Sequence, residues 1–270
     1  MHSAYTGRTQ GVHRRSGRAG AGMAALLTIL VVPALPAAAG TFTPPPGCEA
    51  FLTVQTRSCK VSNHYTCAAD APGDQWRVDF GLNGPFFRSR IDYETQWVES
   101  HESDGTVDLL EPNPPDPASF SELLATGRDT FEFSTLKSNG IRENIKGYDQ
   151  LTGQSVTIDG VTLMRTKYEV RATYDDGRMI WHARGNEYLH PEWRMFLSGA
   201  GQMDLGEGFL PQDFTPVEFI FPGEPDFLTT VPRYDCEAVT ASAPSAAPSP
   251  SPAPAEAAAV PVSLGPEAAP

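Results

Sequence analysis

The sequence predicts a mainly β protein, a single antiparallel meander sheet, strongly curved or nearly closed as a barrel, with one short helix. Three observations carry that prediction. Turn dipeptides recur through the middle of the chain at Asn83-Gly84, Asp104-Gly105, Asn139-Gly140, Asp159-Gly160 and Asp176-Gly177, each between β-branched or aromatic runs. Residues 162–174 alternate with period two, Met164, Tyr168, Val170, Ala172 and Tyr174 on one parity and Arg165, Lys167, Glu169, Arg171 and Thr173 on the other. Tight turns between neighbouring strands force antiparallel pairing, because parallel pairs need long crossovers.

From the N-terminus, residues 1–39 read as a secretory signal. Arg8, Arg14, Arg15 and Arg18 precede the apolar run Met23 to Val32, and Ala37-Ala38-Ala39 offers a cleavage site before Gly40. The run is about half the roughly 20 residues a membrane-crossing helix needs. Arg14-Arg15 lacks the following apolar pair of a twin-arginine signal and reads as an ordinary basic leader. Residues 40–47 are expected as a linker, 48–237 as one β domain, and 238–270, almost wholly Ala, Pro and Ser, as a disordered tail. The expected location is periplasmic or secreted, with no transmembrane segment in the mature chain.

That compartment favours disulfides among the four cysteines, Cys48, Cys59, Cys67 and Cys236. A hairpin turning over Ser62-Asn63-His64 would oppose Cys59 to Cys67, leaving Cys48 to join Cys236 across the ends of the domain. The spacing contains no C-x-x-C, so no metal site is expected from them.

Strands are expected at Phe51 to Ser58, Gln75 to Phe80, Phe86 to Ile91, Gln96 to His101, Thr106 to Leu110, Asp129 to Leu136, Ile141 to Tyr148 and Ser155 to Ile158. Beyond the alternating pair of runs that follows, Trp193 to Leu197 and Val217 to Phe221 complete the set. A two-residue type I′ turn at Asp176-Gly177 pairs residues whose numbers sum to 353. Ala172 then opposes Trp181, Val170 opposes Ala183, Tyr168 covers Gly185, and Glu169 meets Arg184 outside. The same register aims Glu187 inward, opposite Thr166, where a carboxyl must be paired, protonated or near the open end of the sheet. The helix is expected from Asp116 as N-cap and Pro117 at the first position to Gly127 just past the end, with Phe120, Leu123 and Leu124 on its apolar side.

Charge narrows the partners. Four of the 20 basic residues and none of the 33 acidic ones lie in the leader, so the mature chain carries 16 against 33, a balance of −17. Such a surface repels phosphate backbones, and no nucleic-acid partner is expected. No nucleophile elbow, Walker loop or dinucleotide fingerprint is present. His182, Glu187, His190 and Glu192 lack H-E-x-x-H spacing, and alternation sends His182 and Glu187 to opposite faces. No catalytic, cofactor or metal residues are therefore assigned.

The leader, the meander and the helix, with the runs Thr162 to Tyr174, Arg178 to Leu189 and Trp193 to Gly199, resemble the LolA-like lipoprotein-sorting proteins of the periplasm. The resemblance is one of architecture over about Trp76 to Phe221, and it implies an apolar ligand on the concave face of the sheet. The expectation is thus a non-enzymatic envelope protein binding an apolar small molecule or lipid through Met164, Tyr168, Val170, Ala172, Met179, Trp181 and Glu187. An interaction domain with a filled core, partnered by another envelope protein, is the first alternative, and a hydrolase of unrecognised type the second. Whether the inner face is full or hollow discriminates between them.

Overall fold

Thirteen antiparallel strands and one helix make up the structure, a computed structural model that describes residues 40–237. The leader and most of the tail lie outside the described residues. The strands are β1 (Cys48–Thr56), β2 (Lys60–Cys67), β3 (Gln75–Gly81), β4 (Gly84–Ile91), β5 (Trp97–Glu102), β6 (Val107–Leu110), β7 (Arg128–Lys137), β8 (Arg142–Ile158), β9 (Val161–Thr173), β10 (Met179–His190), β11 (Met195–Asp204), β12 (Phe209–Asp213) and β13 (Pro216–Ile220); the helix α1 (Phe120–Thr126) precedes β7. β1 to β12 pair in sequence as a meander, and β13 returns to pair with β1. Neither the strong curvature nor the near closure expected of the sheet is found: the ladder ends at β12 and β13, consecutive in the chain but not paired with each other.

The helix is shorter than its sequence signature. Ser119, not Asp116, is the N-cap; its hydroxyl accepts from the Glu122 N–H, and Gly127 ends the helix in the left-handed conformation at φ 84°. Asp116 instead bridges to Glu132 and accepts from the Thr130 hydroxyl at 2.8 Å. Phe120 and Leu123 are fully buried and pack on Leu189, with Met164 and Phe196 alongside. Burying side chains of this kind stabilises by about 1.5–3 kcal/mol each.

All four cysteines are bonded, but in the pairing opposite to the one expected: Cys48 to Cys67 and Cys59 to Cys236. The β1–β2 hairpin turns over residues 57–59, where Ser58 and Cys59 take the left-handed backbone (φ 57° and 54°) without a glycine or asparagine to announce it. Ser62, Asn63 and His64, residues typical of turns, lie inside β2. Asn63 is buried because its amide is satisfied there, Oδ1 accepting from Thr53 Oγ1 at 2.6 Å and Nδ2 donating to the Thr229 carbonyl at 3.0 Å. The register therefore opposes Cys48 to Cys67, and the turn itself offers Cys59 to the C-terminal segment. That segment lies along β1: Gln55 donates to Val231 O and accepts from Arg233 N, and Cys59 N donates to Tyr234 O. Residues 40–47 are also more than a linker, since Phe42 N donates to Leu228 O and its ring packs on Tyr65 and Phe80.

The central hairpin keeps the expected register for a different reason. Tyr174 N donates to Arg178 O, and only Gly177 of the central pair has positive φ, at 81°. The loop thus holds three residues rather than a type I′ pair. A bulge between Met179 and Trp181 then restores the sum of 353, so Trp181 meets Ala172, Ala183 meets Val170, Gly185 meets Tyr168 and Glu187 meets Thr166. Glu169 and Arg184 are register partners but form no ion pair. The Glu169 carboxylate lies 2.9 Å from His182 Nε2, and the Arg184 guanidinium donates to Gln202 Oε1 at 3.0 and 3.1 Å. β8 runs unbroken across the gap expected between two strands, with an irregularity between Leu151 and Ser155.

Two predictions follow from these turns and bonds. Peptide mapping without reduction will recover Cys48 linked to Cys67 and Cys59 linked to Cys236; a Cys59–Cys67 peptide contradicts the β1–β2 register. Gly177→Val will lower stability by about 1 kcal/mol or more, because a β-branched side chain tolerates positive φ badly. An unchanged denaturation midpoint would rule this turn out.

Candidate functional site: a cavity with an acidic end

The strand registers assemble an ordered surface on one face of the sheet. Asp129 on β7 pairs with Asp149 on β8, Asp149 with Tyr168 on β9, Tyr168 with Gly185 on β10, Gly185 with Gly201 on β11, and Gly201 with Gln212 on β12. The two glycines are required by close approach. A Cβ at Gly185 would come within 2.5 Å of the Gly201 Cα, and one at Gly201 within 3.1 Å of the Tyr168 hydroxyl. The phenol thus reaches across two strands towards Gln212. Two residues further along β7 comes an apolar row, Phe131, Gly147, Val170, Ala183 and Met203, and then another, Phe133, Ile145, Ala172 and Trp181. Thr135 and Glu143 pair beyond these, and Lys137 beside them lies 3.3 Å from Asp108 and 3.4 Å from Glu143.

Together with residues of β2 to β6, these rows line a cavity of about 490 Å³, within the usual range for small-molecule sites. Trp97 joins the apolar band, edge-on to Phe133 at 5.6 Å and stacked on Trp181 at 6.4 Å. Its 45 % exposure places it where the cavity meets solvent. Trp181 is fixed by its indole N–H, which donates to Glu143 Oε2 at 3.3 Å.

At the acidic end three carboxyls are shifted well above their ordinary values. Burial pushes the Asp129 carboxyl up to about 6, despite the Ser119 N–H it accepts at 2.9 Å. Burial raises Asp149 to about 7 and Glu187 to about 8; repulsion from Asp129 adds to the first, and repulsion between Asp149 and Glu187 adds to the second against a partial offset from Arg77. Asp149 and Glu187 titrate as a pair, since like charges in a low-dielectric site do not ionise independently. Burial, with the neighbouring carboxyls, also lifts the Tyr168 phenol to about 12. Arg77 is already engaged with Asp79 at 3.1 Å, and Lys60 approaches the same carboxylate at 3.7 Å. His64, 4 % exposed, is held near 3 by burial and by Arg77, hence neutral, and its Nε2 has no hydrogen-bond partner.

Of the inward residues expected from sequence, Tyr168, Val170, Trp181 and Glu187 line this cavity. Met164 does not: past the irregularity in β8 it packs beneath α1. Met179 also stays out, on the far side of the β10 bulge, and Ala172 is buried in the core behind the rings. His182 and Glu187 do lie apart, and His190 stacks on Trp193 at 3.8 Å. No group of three or more His, Cys, Asp or Glu arranged to hold a metal occurs among the described residues. Asp129, Asp149 and Arg77 were not singled out from sequence, and His64, expected as a solvated residue of the cysteine hairpin, is buried inside β2. The parity of Asp129 with Phe131 and Phe133 was the available signal for the first. No protein-family model, curated protein or solved structure matches the chain.

The raised carboxyls tie stability to pH with a definite sign. A carboxyl whose folded pKa lies above its unfolded value leaves the native state binding more protons, so its contribution is fully present below the unfolded pKa and is lost as pH rises through the folded one. For Glu187 that window runs from its ordinary 4.5 to about 8. Glu187→Gln, which mimics the protonated acid, will match wild-type stability near about pH 4 and exceed it near about pH 8. Denaturant melts across that range check this; a pH-independent difference removes the buried carboxyl as its cause.

Proposed function

We propose that this protein is an exported, non-enzymatic envelope protein that holds a small ligand with an apolar body on the concave face of its sheet. The observation that carries this reading is the hollow lined by Phe131, Val170 and Ala183, by Phe133 and Trp181, and by Trp97 and Ile91. An interaction domain would have filled that space with side chains. An apolar body entering it gains about 25 cal/mol for each Å² of apolar surface removed from water, less the cost of immobilisation.

Export has separate support. Two disulfides suit an oxidising compartment, and no helix among the described residues is long and apolar enough to cross a membrane. The architectural resemblance to LolA-like carriers points the same way.

Organic extracts of the purified protein, analysed by mass spectrometry and paired with titration of an apolar fluorescent dye, test the reading. Ligand in the extract or saturable dye binding is expected. Trp181→Ala will weaken dye binding but also damages packing, at a cost of about 3–5 kcal/mol. Trp97→Ala, at a more exposed position, separates the effects: it will weaken binding with less loss of stability. Absence of both ligand and dye binding would sink the carrier reading in favour of an interaction role.

A further inference from the structure

We propose that the ligand of this cavity is an amphiphilic cation, its amine head seated among Asp129, Asp149, Glu187 and His64 and its apolar body lying along the aromatic rows. The inference rests on the reading of the cavity as a binding site and adds the chemical class and orientation of its occupant.

The two ends of the cavity are polar in different ways. At the far end three carboxyls, Glu102, Asp108 and Glu143, share the Lys137 ammonium, which lies 3.3 Å from Asp108 and 3.4 Å from Glu143. At the α1 end Asp129, Asp149 and Glu187 line the cavity with Arg77; Lys60 and Arg77 both converge on Asp79, and Glu122, Asp116 and the Arg194-paired Glu94 add negative charge near Asp129. Asp129 accepts a backbone N–H. Asp149 and Glu187 lack even that, although both line the cavity. A carboxylate pair without a cation is costly in this half-buried setting; it stays protonated when the site is empty or is neutralised by what the site receives.

His64 is an independent mark of an absent partner. Its imidazole is buried and lines the same cavity, and its Nε2 is left unpartnered beside Arg77. A primary ammonium supplies three N–H donors and one positive charge, which suits two carboxylates and a neutral imidazole acceptor. An anionic head would face three carboxyls against the Arg77 guanidinium, whose charge is already shared with Asp79, and a neutral hydroxyl would bring no charge to the acids once they ionise. From the Asp129 row to Thr135 is six residues of strand, about 20 Å at roughly 3.4 Å per residue. That span accommodates a medium alkyl or aromatic body between the ends.

The groups facing the head position fix the pH dependence. Tyr168 stays protonated, His64 stays neutral and Arg77 remains engaged with Asp79, so the changing charge is that of Asp129, Asp149 and Glu187. Their raised pKa values mean that an ammonium must displace protons, and its affinity rises as pH climbs through the range from about 6 to about 8.

Isothermal titration of the disulfide-intact protein with octylamine, octanol and octanoate tests the head group at constant chain length. Octylamine is expected to bind at least about tenfold more tightly than octanol near about pH 8, a difference of about 1.4 kcal/mol. That preference should shrink on lowering the pH to about 5, where the carboxyls are protonated. Glu187→Gln and Asp149→Asn should abolish the preference by weakening octylamine far more than octanol, and retained octanol binding certifies that each variant still has its cavity. Should a variant fail to fold, the wild-type pH series decides alone. Equal affinity for all three compounds, a preference for octanoate, or a preference indifferent to pH overturns the cationic head and leaves the apolar cavity standing. Failure of the wild type to bind any of the three removes the binding reading itself.

Discussion

Everything distinctive in this domain depends on the antiparallel register running from β7 to β12. It aligns Asp129, Asp149, Tyr168, Gly185, Gly201 and Gln212 as one row and sets aromatic rows beside it. A slip of one residue in any of these pairings would send a whole set of side chains to the opposite face. The glycines enforce the alignment sterically, since only a residue without Cβ lets β10 approach β11 while the Tyr168 ring passes above. The register thus positions both the acids and the hollow next to them.

The interior treats its polar groups in two ways. Around β1 to β3 the buried carboxylate is satisfied: Asp79 takes Ser62, Lys60 and Arg77, and although burial alone would raise its pKa, those partners hold it below the ordinary range. Gln55, Asn63 and Thr53 tie the C-terminal segment to the sheet by hydrogen bonds to its backbone. At the acidic end of the cavity the opposite holds, and carboxyls without partners carry raised pKa values that reduce stability at neutral pH. Local inconsistency of this kind, inside a domain otherwise well satisfied, is where a functional site is expected.

Much of the fold was legible because its signals are local. Alternation over residues 162–174 and the dipeptides Asp176-Gly177 and Asn139-Gly140 report strands and turns irrespective of what packs on them. The β1–β2 hairpin was misread because its left-handed turn residues are Ser58 and Cys59, while Asn63, a turn former by preference, is drawn into a strand by Thr53 and Thr229. The disulfide pairing failed with it. Asp116 was taken for the helix N-cap because the bridge that diverts it comes from Glu132 on β7, a partner distant in sequence.

The sequence by itself determined the antiparallel meander, the short helix ending at Gly127 and the inward direction of Tyr168, Val170, Trp181 and Glu187, because period-two patterning and turn chemistry act over a few residues. Only the tertiary structure decided which cysteines bond, that Met179 leaves the inner face while Met164 is covered by the helix, and that Asp129 and Asp149 join Glu187 beside a hollow. Those outcomes depend on pairings between residues far apart in the chain, on bulges that shift register by one, and on burial, which sets the charge of a carboxyl only once its neighbours are in place.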